Sequence, residues 1–242
     1  MPSYDIIGNI AIMKPDLAGK PKTKKKKSKS KVKKETTESG DIIERLKELK
    51  ELYDDGILTK EQFENKDEKL IAFLAKHKHW SPFGHASLQF KIKAPVFVAR
   101  QLVKHQVGLS WNEVSRRYVD FPPEVFKPES WRGRPVNSKQ GSAGTVDLGP
   151  TISHNLETVT ESCLILYNTL IDKGIAPEQA RMVLPQSMMT EWYWSGSLYA
   201  FARVCNLRCK PDVQKETRDV CEEISKECGK QFPISWKYLI DK

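Results

Sequence analysis

Residues 20–34 (KPKTKKKKSKSKVKK) hold ten lysines and no acid, and no fold can bury such a run. Ammonium groups resist leaving water unpaired, and a segment this polar buries too little apolar surface to offset the entropy of ordering it. Residues 20–40 therefore read as a disordered Lys-rich linker that splits the chain, with a short strand-like segment at 1–19 before it. The tract also accounts for the charge: the net charge is +9, so removing its ten lysines leaves the remainder at −1. Basicity is thus a property of one segment and says little about the folded body. Without interleaved arginines or aromatics, the tract would give at most weak, non-specific and salt-sensitive contacts to nucleic acid.

A hydrophobic fraction of 39% allows the rest to build a core. No apolar run approaches the ~20 residues that span a bilayer. The first twenty residues lack the basic, apolar and small-residue succession of a secretory signal. The five cysteines, Cys163, Cys205, Cys209, Cys221 and Cys228, show no paired C-x-x-C spacing. A cytoplasmic protein with reduced thiols is the expectation.

Residues 41–66 read as a helical hairpin. Ile43, Leu46, Leu49 and Leu52 fall at helical spacing, Gly56 breaks the run, and Thr59-Lys60-Glu61-Gln62 resembles a capping box. The stretch resembles the short helical module known as SHOCT, which implies interaction or oligomerisation and not chemistry. Residues 67–242 form the main domain. Leu88, Phe90 and Ile92 alternate with polar neighbours, which predicts a half-buried strand, and Pro95 opens a helix where no amide donor is needed. Residues 132–150, rich in Gly, Pro and Ser, read as a loop. Leu156, Val159, Cys163, Leu166 and Leu170 mark a helix stopped by Gly174, with further helices at 177–184, about 197–207, and 212–228. The fold class expected is α+β, a small β-sheet flanked by helices.

The chemistry concentrates in Ala94–Tyr118. Gln101, Lys104, His105 and Gln106 stand near a helix end, and a polar loop carrying Asn112, Glu113, Ser115, Arg116 and Arg117 is expected to follow. Cations, amides and a hydroxyl this close suit a phosphate and a pyrimidine ring, though a solvated charged loop would look the same. His77, His79 and His85 could suggest zinc, but no nearby Cys or carboxylate completes four ligands.

The phrase Asn112-Glu113-Val114-Ser115-Arg116-Arg117-Tyr118 resembles the signature of the flavin-dependent thymidylate synthases. So do His77-Lys78-His79-Trp80-Ser81-Pro82-Phe83-Gly84-His85 upstream, and Ala180 to Pro185, Asn206-Leu207-Arg208 and Gln214 downstream. The resemblance runs over about residues 67–240. It implies a homotetramer that uses FAD, NADPH and 5,10-methylenetetrahydrofolate to convert dUMP to dTMP. It also implies dUMP contacts from Gln101, Lys104, Glu113, Ser115, Arg116, Arg117, Arg181 and Arg208, with Arg208 and Arg181 serving the chemistry. Flavin contacts would come from His79, Ser81, Lys104, His105, Gln106, Ser197, Arg203 and Leu207. Ser115 reads as a substrate donor rather than a nucleophile, since no base partner is evident.

Lys104-His105-Gln106 stands where the family has Arg-His-Arg, and eight residues instead of seven precede Ser115. Two guanidinium forks are replaced by a point charge and a neutral amide. Ser197, Tyr199 and Asp212 likewise stand where Asn, Arg and His are common. A related enzyme making hydroxymethyl-dUMP, a flavin-less dUMP-binding relative, or a nucleic-acid-binding protein are the alternative readings.

Overall fold

The computed structural model describes residues 4–7, 10–13, 47–56 apart from 49 and 53, 60–136 and 140–241. The Lys-rich tract and the capping Thr59 lie outside the described residues. Two compact units are present: one joins 1–14 to 81–242, the other comprises 15–80.

In the smaller unit, helix α1 (Lys60–Lys76) is the main element, preceded by helical residues at 47, 48, 50–52 and 54. α1 runs unbroken through positions 66 and 67, where the sequence reading sets a boundary, and the division between units falls at Trp80/Ser81. After α1 the chain turns at Lys78, a non-glycine residue with φ of 58°. Phe73, His77 and His79 gather there, with ring centroids 4.3 Å apart for Phe73–His77 and 6.2 Å for Phe73–His79.

The larger unit is built on one antiparallel sheet of five strands. They are β1 (Tyr4–Ile7), β2 (Ile10–Met13), β3 (Ser87–Pro95), β4 (Leu109–Glu113) and β7 (Met189–Ser197). Their order across the sheet is β1-β2-β3-β7-β4. The front end therefore supplies two strands where one was expected. β1 and β2 pair antiparallel, with Ile7 opposite Ile10.

β3 forms as its alternation predicts, with Leu88, Phe90, Ile92 and Ala94 buried. Its neighbour β7 carries Trp192 opposite Ile92 and Trp194 opposite Phe90, and both tryptophans are buried. Phe201 closes this layer, its ring 4.9 Å from Phe90 and 5.5 Å from Trp194 in edge-on contacts. Of the polar loop expected after the Lys104 turn, Asn112 and Glu113 belong instead to strand β4, while Ser115, Arg116 and Arg117 fall in the loop that follows it. The strand's residues are largely exposed, so pairing decides: β4 is laddered to β7, and Trp111 stacks on Trp192 at 4.4 Å.

Residues 132–150 also contain strand: β5 (Trp131–Gly133) and β6 (Ala143–Val146) pair in a separate small sheet. The remaining elements are helical. They are α2 (Ser81–Gly84), α3 (Val96–Leu102), α4 (Gly149–Asp172), α5 (Pro177–Ala180) with a 3-10 turn at Arg181–Val183, α6 (Leu198–Arg208), α7 (Lys215–Gln231) and α8 (Pro233–Leu239). α4 extends past the expected run and stops before Gly174, whose φ of 77° suits glycine. All five cysteines are free thiols, and Cys205, Cys221 and Cys228 belong to the α6–α7 core. The α+β architecture is as expected. No described helix is long and apolar enough to cross a membrane.

Candidate functional site

Two adjoining pieces of backbone position the site. α3 ends at Leu102, and the turn carrying Lys104, His105 and Gln106 leads through Gly108 into β4. β7 ends at Ser197, whose hydroxyl caps α6 by accepting from the Ala200 amide at 3.2 Å. The Ser197 amide donates to the Gly108 carbonyl at 3.3 Å, so the turn is fastened to the start of α6. Glycine is required on both sides of this join. Gly108 has φ of 76°, and a Cβ on it would lie 3.1 Å from Ala200 Cβ. A Cβ on Gly196 would lie 2.7 Å from the Gly108 carbonyl oxygen.

At the far end of α6, Arg208 Nε donates to His105 Nε2 at 2.9 Å. With that nitrogen accepting, the proton of the neutral imidazole is on Nδ1. Partial burial, then Arg208 and Arg203, hold the His105 pKa below its ordinary value of 6.5. Lys104, Gln106, Arg203 and Leu207 are exposed around this pair.

The second cluster lies along and after β4. Glu113 is held at both oxygens: Thr190 Oγ1 donates to Oε1 at 2.8 Å, and Trp111 Nε1 donates to Oε2 at 3.3 Å. Just beyond, Ser115 Oγ accepts from Arg117 Nε at 3.0 Å and from its amide at 3.4 Å. This bond uses Nε and fixes an exposed guanidinium beside a hydroxyl. Its neighbour Arg116 turns inward: it is 7% exposed, donates to the Phe121 carbonyl at 2.7 Å, and lies 4.5 Å from the Phe121 ring centre. Of the adjacent arginines, Arg117 faces solvent and Arg116 packs the loop. Gln101, on the last turn of α3, accepts through Oε1 from the Thr217 hydroxyl of α7.

The other expected residues stand apart. Arg181 is exposed in its 3-10 turn, with Nε donating to the Glu178 carbonyl at 3.3 Å. Ser81 begins the larger unit in α2, whereas His79 belongs to the smaller one. A cleft of about 470 Å³ lies elsewhere, lined by Phe97, Phe126, Trp131, Leu156, Arg132 and Glu216 among others. Gln214 of the motif phrases reaches this cleft, but none of the expected dUMP or flavin contacts lines it, so volume and chemistry point to different places. The polar clusters carry the functional argument, because the cleft's main charges, Arg132 and Glu216, already neutralise each other at 2.7 Å.

Sequence reasoning missed three side chains that set this geometry: Thr190, Thr217 and the indole of Trp111. Thr190 is visible as a buried-phase position of an alternating strand. Thr217 has no local signal, since its partner is 116 residues away.

A family model described as thymidylate synthase complementing protein matches residues 23–234. A flavin-dependent thymidylate synthase of Thermus thermophilus is 36% identical over 170 residues, which cover 70% of this chain. The chain spans 62% of that relative's length. A flavin-dependent thymidylate synthase of Kosmotoga olearia is 34% identical over 204 residues, covering 84% of this chain and 86% of the relative. Among solved structures, the UMP/dUMP methylase PolB from Streptomyces cacaoi, bound with 5-Br dUMP, superposes with a TM-score of 0.66. It is 28% identical and covers 72% of this chain and 80% of that one.

Proposed function

This chain belongs to the flavin-dependent thymidylate synthase family, and from that premise we propose that it catalyses FAD- and NADPH-dependent reductive methylation of dUMP to dTMP, with 5,10-methylenetetrahydrofolate as carbon donor. The observation that carries the reading is the Arg208–His105 bond. It joins the arginine expected at the nucleotide to the histidine expected at the flavin.

The residues divide the work by their chemistry. Arg117, fixed against Ser115, presents a cation and a hydroxyl suited to the dUMP phosphate. Gln101 and Glu113 supply orienting polar groups, and the exposed Arg181 a further cation. Arg208 is the group to stabilise negative charge as it develops on the uracil carbonyls. Because His105 is held neutral, it takes a hydrogen bond from Arg208 without adding a competing positive charge.

The donor set also fits FAD. Lys104 and Arg203 are exposed cations suited to a pyrophosphate, and exposed Leu207 offers an apolar face. His105, Gln106 and Ser197 adjoin them at the fastened turn, and Ser81 joins the set by resemblance. FAD, when bound, supplies the hydride chemistry that these side chains cannot.

Self-assembly is part of this reading, as a homotetramer. α4 leaves Ile152, Leu156, Val159 and Leu166 exposed at 52%, 39%, 63% and 47%, and Cys163 completes their spacing of four and three residues. Such a stripe suits packing against another helix. An open site face is also what sharing between subunits would leave on one chain.

The test is the visible spectrum of the purified protein, then turnover. An oxidised-flavin band near ~450 nm, bleached by NADPH in a dUMP-dependent way, with dTMP formed from methylenetetrahydrofolate, is the expected result. A colourless protein that ignores FAD and makes no dTMP would overturn the proposal.

A further inference from the structure

We propose that Thr217 is a positioning residue for the nucleotide: its hydroxyl holds the acceptor end of the Gln101 amide, leaving that amide's N–H donors to meet dUMP. This rests on the reading above that Gln101 contacts dUMP.

Thr217 is fully buried at 0% exposure, and its hydroxyl donates to Gln101 Oε1. It sits in the first turn of α7, where its own amide bonds to the Gln214 carbonyl at 3.1 Å. So early in a helix, its hydroxyl has no carbonyl of the same helix four residues back to fall upon. Gln101 is therefore the partner that satisfies it.

A glutamine amide has one accepting end and one donating end, and the two exchange by a simple flip. With the Thr217 hydroxyl donating, Oε1 is the end turned toward α7. What remains free is the –NH₂ group, which matches an oxygen acceptor, whether a phosphate oxygen or a uracil carbonyl. An unpinned amide would spend part of its time presenting oxygen to oxygen. The same device recurs at Glu113, where Thr190, 8% exposed, donates to Oε1 at 2.8 Å. In both cases a buried threonine from a later element holds one atom of a more exposed polar group.

The experiment titrates the full chain with dUMP and with 2′-deoxyuridine, for wild type, Thr217→Val, Thr217→Ser, Gln101→Leu, Gln101→Glu and the Thr217→Val/Gln101→Leu double variant. Thermal unfolding is followed in parallel. Loss of one hydrogen bond should weaken dUMP binding by Thr217→Val about three- to tenfold. Thr217→Ser, which keeps the hydroxyl, should restore it, a rescue that a mere packing role would not show. The double variant should bind no worse than Gln101→Leu alone. A loss confined to dUMP places the donors on the phosphate, and an equal loss on deoxyuridine places them on the base; either supports the proposal.

Gln101→Glu keeps a bond to Thr217 but turns the outward group into an acceptor, so it must lose more affinity than Gln101→Leu. This variant serves even if Thr217→Val fails to fold, and a smaller loss overturns the proposal. Wild-type affinity in a folded Thr217→Val, with affinity lost in Gln101→Leu, removes Thr217 while the substrate reading stands. Wild-type affinity in Gln101→Leu instead removes Gln101 from the nucleotide site.

Discussion

Arg208 and His105, 103 residues apart in sequence, meet through a single Nε–Nε2 hydrogen bond of 2.9 Å. The bond ties the last turn of α6 to the turn entering β4. It also fixes the tautomer of one partner and the direction of the other.

Arg208→Ala should therefore weaken dUMP binding by about 2–5 kcal/mol, the cost of breaking a desolvated charge contact. Calorimetric titration with dUMP checks this. Unchanged affinity would remove Arg208 from the site.

The same pair predicts a pH dependence. His105 binds its proton less readily when folded than its ordinary value of 6.5, so the unfolded chain takes up more protons as pH falls below 6.5. The stability tied to a neutral His105 is present above 6.5 and is lost as pH drops from there toward the lowered folded value. Thermal midpoints across that window should fall more steeply for wild type than for His105→Gln. Equal slopes would show that His105 is not held neutral.

Gly196→Ala tests the join between the turn and the sheet. The added methyl would press on the Gly108 carbonyl at 2.7 Å, a backbone atom that cannot swing aside. Overpacking of this kind costs about 1–3 kcal/mol. Chemical denaturation should show a lowered midpoint, and an unchanged one would mean the turn relaxes freely.

How far the sequence can be read varies with the physics that fixes each element. β3 is legible because Leu88, Phe90 and Ile92 alternate with polar residues and one face is buried. β7 carries the same rhythm, with Thr190, Trp192 and Trp194 buried, yet the sequence reading assigns no strand to it. Its tryptophans stand out as packing residues, which they are, and the run Trp192-Tyr193-Trp194 obscures the alternation. β4 is harder to read locally: exposed Ser110, Asn112 and Glu113 and half-buried Leu109 and Trp111 span only five residues, and the ladder to β7 makes the strand. For the site, the motif phrases mark His105, Glu113, Ser115, Arg117 and Arg208, which the structure arranges in two clusters. Arg116 and Arg117 look alike in sequence, and only the Phe121 ring and carbonyl separate an inward arginine from an outward one.

The pairing of β2 with β3 has a consequence for the front end. Ile10 opposes Ile92 and Ile12 opposes Phe90, so the strands are immediate neighbours although residues 14–86 intervene. In sequence, the unit of residues 15–80 is inserted between these two paired strands. Loop-closure entropy grows only logarithmically with length, so the sheet is nearly indifferent to what fills that gap. Such a position can exchange its contents, lysine tract and helices included, without re-registering the strands that carry the site.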